Sequence, residues 1–79
     1  MRHARKDYNR IQDPTFKIPV KEPVFLLRGQ DKLAANIVRA YAAAAEAEGL
    51  KDIAEISRKW ADTMDEWRNT HDGGKLPDL

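Results

Sequence analysis

Seventy-nine residues with 14 basic and 13 acidic side chains, no cysteine and a 42% hydrophobic fraction make one small domain at most. Disulfides and thiolate metal sites are excluded, and a net charge of +1 is too small to draw the whole molecule to nucleic acid by bulk attraction. No window approaches the roughly 18 apolar residues of a membrane span, and Met1-Arg2-His3-Ala4-Arg5-Lys6 is followed by no apolar signal-peptide core, so a soluble, cytoplasmic protein is expected.

Residues 1–22 hold no sustained period of helix or strand. Asp13-Pro14 and Ile18-Pro19 bias Asp13 and Ile18 away from the α region, and each proline removes a backbone donor. An irregular arm is expected, with Arg2, Arg5, Lys6 and Arg10 set against a single Asp7 in the first ten residues. Its apolar residues, Tyr8, Ile11, Phe16, Ile18 and Val20, are too many for a solvated tail and predict packing on the helices or on a neighbouring chain.

Residues 23–28 follow as a short extended segment, because the apolar run Val24 to Leu27 is bounded by Pro23 and Gly29. One strand cannot satisfy its own ladder. It needs a partner from the arm or from a symmetry mate, or else lies extended across the helices.

A helix is predicted over 31–48. Asp31 is a good N-cap, Leu33, Ile37, Tyr41 and Ala45 recur at a spacing of four, and Ala34, Val38 and Ala42 widen the stripe. The alanines at 42–45 have high helix propensity and little bulk, which lets a second helix approach. Gly49 supplies a left-handed stop. A second helix is predicted over 51–69, with Asp52 in its first turn, Ile53, Ile56, Trp60, Met64 and Trp67 at steps of three and four, and Glu55–Lys59 as an i to i+4 pair. Residues 71–79 read as a tail. The fold class is therefore mainly α, an antiparallel two-helix hairpin preceded by an irregular basic arm and one extended segment. Much of the hydrophobic fraction is Ala, so a lone chain is marginal and completion by homo-oligomerisation is expected.

The first candidate site is Arg28-Gly29-Gln30-Asp31 at the predicted helix N-terminus. Free amides, the helix dipole and an Arg fork suit phosphate or carboxylate, and Gly29 permits close backbone approach. The plainer reading is a capped helix, a paired Arg and a turn. The second candidate is the arm: Arg5 and Arg10 for phosphates, Tyr8 for stacking, Asn9 and Gln12 for sugar or base. A docking arm is the plainer reading there.

Trp60, Met64 and Trp67 at helical spacing read as core, and His3 and His71 as surface residues without metal. No paired carboxylates fall together by spacing, and Ser57 has no evident base. Enzymatic activity, a cofactor and double-stranded DNA binding are therefore not expected.

Three segments, Asp7-Tyr8-Asn9-Arg10-Ile11-Gln12-Asp13-Pro14, Glu22-Pro23-Val24-Phe25-Leu26-Leu27-Arg28-Gly29-Gln30-Asp31 and Ala61-Asp62-Thr63-Met64-Asp65-Glu66-Trp67, resemble small proteins encoded by phages and prophages of proteobacteria. The resemblance covers most of the chain. One class of such small phage proteins forms oligomeric sponges that sequester nucleotide immune signals, such as cyclic ADP-ribose isomers or cyclic dinucleotides. It thus implies an anti-defence protein of the host cytoplasm, with Arg5, Arg10 and Arg28 on phosphates, Tyr8 stacking, and Asn9, Gln12, Gln30 and Asp31 on ribose or base at subunit interfaces. The alternative is an interaction module that occupies a host protein.

Overall fold

The computed structural model describes residues 1–4, 13, 17–71 and 73. Its order is β1 (Arg2–His3), β2 (Pro23–Val24), α1 (Ala34–Ala47) and α2 (Lys51–Asn69), so the mainly helical class expected from periodicity is the one observed. The two helices run antiparallel. Their cross-contacts join Glu46 to Arg58, Arg39 to Asp62 and Asp65, and Lys32 to Arg68, so a step back along one element is matched by a step forward along the other.

The reversal is made by a glycine stop. The N–H of Gly49 donates to Glu46 O at 2.9 Å and the N–H of Leu50 to Ala45 O at 2.9 Å, the paired bonds of a Schellman ending. Gly49 holds φ at 80°, where a side chain is strained. Asp52 falls in the first turn of α2, beside the positive end of its dipole.

The start of α1 differs from expectation. Asp31 does not cap the helix: its Oδ1 accepts from the N–H of Leu33 at 2.8 Å and its carbonyl from Ala34 at 3.1 Å, a local side-chain turn of the kind Asp readily forms. The helix then opens at Ala34 with Leu33 preceding it and no side-chain cap. A hydrogen-bonded turn across Arg28 to Asp31, closed by Asp31 N to Arg28 O at 3.0 Å, stands where the free helix amides were expected.

The extended segment finds its partner within the chain. β2 pairs in parallel with β1, Arg2 opposite Pro23 and His3 opposite Val24. Arg2 N–H donates to Glu22 O at 2.8 Å, and the terminal amine to Pro19 O at 2.6 Å. His3 is not a free surface residue, since both ring nitrogens are out of solvent without a hydrogen bond among the described residues.

The core departs most from the periodicity reading. The buried residues are Ala34, Ala35, Ala42, Ala45, Ala54 and Ala61, and no large side chain is fully buried among the described residues. The alanines of the expected α1 stripe, Ala34, Ala42 and Ala45, are buried, but the large members of both stripes are open: Ile37 is 53%, Tyr41 59%, Ile56 66% and Trp60 60% exposed. Small residues explain this. Alanine lets two helix backbones approach to the short end of the usual 8–10 Å separation, and an Ile or Trp in that seam would force them apart.

The seam divides the hairpin into two faces. At about 100° per residue, Leu33, Ile37 and Tyr41 lie to one side of the buried alanines of α1, and Ile53, Ile56, Trp60, Met64 and Trp67 lie at the same rotational sense from Ala54 and Ala61. In antiparallel helices equal rotations bring both flanks to the same side. The charged residues of α2 between Glu55 and Glu66 all fall on the opposite half. There Arg39 Nη2 donates to Asp62 Oδ1 at 3.0 Å and Asp65 Oδ2 at 2.5 Å, Arg58 to Glu46 at 2.8 Å, and Glu55 pairs with Lys59 at 3.6 Å as expected. Asp65 is shared, because Arg68 also donates to it.

The hydrogen bond from Arg39 holds the Asp65 carboxyl below the usual carboxylate range against a smaller opposing effect of burial, and the same bond raises the Arg39 pKa. A depressed carboxylate pKa stabilises the fold above the unfolded value of about 4 and loses that contribution as pH falls through the folded value. Thermal melts should therefore be flat from neutral pH to about 5 and fall below about 4, and Asp65→Asn should melt lower at pH 7 with a shallower acid loss. A separate measurement concerns the turn: Gly49→Ala should cost about 1 kcal/mol in urea unfolding, the penalty of a Cβ at positive φ.

Candidate functional site

The 27–30 segment crosses the C-terminal half of α2 on its apolar side and encloses a cleft of about 270 Å³, lined by Leu27, Arg28, Gly29 and Gln30 above and Trp60, Met64 and Trp67 below, with Thr63 at its edge. Three contacts set the segment there. Arg68 Nη1 donates to Lys32 O at 3.3 Å, the Arg28–Asp31 turn closes on itself, and Gly29 sits where an added Cβ would lie 3.9 Å from Met64 Cα and 4.0 Å from Trp67 Cε3. Gly29 does not hold a positive φ. Its backbone tolerates a side chain.

Arg28 is the charged member of the lining, exposed, with no ion pair or hydrogen bond from its guanidinium among the described residues. Below it the Trp60 and Trp67 rings supply flat apolar surface. Trp67 is further fixed by His71, whose ring stacks on it at 3.8 Å between centroids and 5° between planes, while His71 Nδ1 lies 2.7 Å from Trp67 O. His71 is exposed, as read from the sequence. The arrangement places an exposed guanidinium and an amide over two indoles. Such a cleft can take a planar aromatic group by stacking and an attached anion by the Arg fork.

Of the residues singled out by sequence, Arg28 and Gln30 come together in this cleft. Asp31 does not line it; its carboxylate is engaged with Leu33 N–H. Arg5, Tyr8, Asn9, Arg10 and Gln12 lie outside the described residues. Sequence reasoning missed Trp60, Thr63, Met64 and Trp67, having assigned the aromatics to the core. The available signal was the count of alanines: once both helices offer Ala on one flank, the bulky residues beside them are displaced from the seam.

Among the described residues no group of three or more His, Cys, Asp or Glu could hold a metal ion, and no helix is long and apolar enough to cross a membrane. No family profile, curated protein or solved structure matches the chain.

Gly29 gives a direct check on the geometry. Gly29→Ala places its Cβ at ordinary van der Waals distance, so the variant should unfold within about 0.5 kcal/mol of wild type, as for an unstrained surface change, in contrast to Gly49→Ala. A loss well above this would show that the 27–30 segment does not lie on Met64 and Trp67 in this way.

Proposed function

We propose that this protein is a non-enzymatic binder that captures and sequesters a small phosphate-bearing nucleotide, with Arg28 on phosphate, Gln30 on a base or sugar edge, and Trp60 and Trp67 as the stacking surface. One observation carries this reading. An Arg with no ion pair or hydrogen bond from its guanidinium among the described residues stands over two exposed indoles in one cleft. A buried Trp pair would serve the core, and a structural Arg would be paired.

The resemblance to small phage-encoded proteins supports a cyclic ADP-ribose type signal or a cyclic dinucleotide as the ligand class, held at subunit interfaces to blunt host defence. Arg5 and Arg10 would add phosphate contacts, Tyr8 stacking, and Asn9 and Gln12 polar contacts from the arm. Asp31 is left to its turn.

A second reading is favoured by a different observation, the exposed apolar flank of Ile37, Tyr41, Ile53 and Ile56, which would suit a host protein if no second copy of the chain covers it. A pulldown then recovers one stoichiometric partner and nucleotide titrations are silent.

Calorimetry against cyclic dinucleotides and ADP-ribose derivatives distinguishes the two. Binding is expected for at least one ligand, with Arg28→Ala weakening it roughly tenfold or more, the worth of a charge-assisted hydrogen bond. Trp60→Ala should weaken it comparably through lost stacking. Ligand released by heat should be chemically intact; accumulating product would make the protein an enzyme, and a silent panel would remove the nucleotide reading.

A further inference from the structure

We infer that the apolar face of the hairpin is an interface with a second copy of this chain, packed face to face across a two-fold axis so that four helices share the large side chains that neither hairpin buries alone. The face has a defined makeup. Leu33, Ile37 and Tyr41 of α1 stand beside Ile53, Ile56 and Trp60 of α2, each 42% exposed or more. No charged residue occurs on that side between Leu33 and Ala44 or between Ile53 and Trp67.

Size argues for coverage. Counting about 150–250 Å² for a fully exposed Tyr or Trp and toward the lower end of that range for each Leu or Ile, scaled by the fraction exposed, the face offers on the order of 700 Å² per subunit when fully covered, close to the roughly 800 Å² per partner of a stable interface. Exposed apolar patches on monomers rarely exceed a few hundred Å². The interior gives the second reason: the described residues bury six alanines and no large side chain, and a 79-residue chain without cysteine has no disulfide to offset the entropy of folding.

Charge selects the occupant. A nucleic acid or a strongly charged peptide finds no complementary group on this face. A membrane surface is disfavoured because the opposite face is internally paired through Arg39, Asp62, Asp65, Arg58 and Glu46, not basic as membrane-bound amphipathic helices are. An uncharged face repels nothing when set against its own image, and a two-fold contact requires that self-complementarity. Trp60 belongs to both the face and the cleft, so the second copy would stand beside the ligand proposed above and help wall it.

The test is the mass of the purified protein without nucleotide, by light scattering and sedimentation across micromolar concentrations. Twice the 9.0 kDa chain mass, or an even multiple of it, is expected. Tyr41→Glu and Ile56→Glu, each placing a carboxylate within the interface, should shift the wild-type mass toward one chain at concentrations where Lys59→Glu, on the paired face, leaves it unchanged. Trp emission, which in the wild type should move to longer wavelength on dilution as Trp60 is uncovered, gives a readout that needs no variant. A monomer with dilution-independent emission overturns the interface, as does an oligomer whose mass both Glu variants leave intact while circular dichroism shows them folded. Because no nucleotide is present, a silent ligand panel leaves this interface standing, and a monomer leaves the cleft to be judged by titration.

Discussion

The alanine seam between the two helices is the constraint from which the rest of the structure follows. Ala42 and Ala45 cluster with Ala54, Ala34, Ala35 and Ala61 are buried along the same pair of helices, and side chains this small make contact only if the helix backbones come close. Close approach leaves no volume for Ile, Tyr or Trp in the seam. Those residues are turned out along one flank, while the charged residues collect on the other and pair across it. The hairpin is thus held by backbone proximity and bridged charge, with its larger hydrophobic side chains left over.

That arrangement gives the apolar flank its meaning. In a chain with a conventional core the same Ile and Trp residues would be consumed by folding. Here they stay at the surface, and the 27–30 segment covers only the end near Met64 and Trp67. The cleft arises at the edge of this partial cover, where Arg28 and Gln30 project over indoles that the seam has excluded. Binding surface and structural economy share one cause, since residues that a seam of alanines cannot accommodate become available to a ligand or a subunit.

Much of the fold was legible from residue order. The glycine stop at Gly49, the acidic first turn at Asp52, the Glu55–Lys59 pair and the span 51–69 all rest on interactions within a few residues of each other, and local rules describe such interactions well. Asp31 misled because Asp serves equally well as a helix cap and as the acceptor of its own turn, a choice set by the segment anchored through Arg68 to Lys32 O. Trp60 and Trp67 misled for a longer-range reason. Periodicity identifies an apolar flank, but which of two adjacent flanks faces the other helix depends on how closely the axes approach.

By itself the sequence determined the helical class, the hairpin reversal and the residue types available for an anion and a flat ring, because propensity, glycine geometry and charge are properties of short stretches. Tertiary structure alone decided that the large apolar residues stay out of the alanine core, that β2 pairs with the chain's own first residues, and that Arg28 meets Trp60 and Trp67 in one cleft. The last two join residues more than twenty positions apart, and all three depend on the distance between packed backbones, which no single segment specifies.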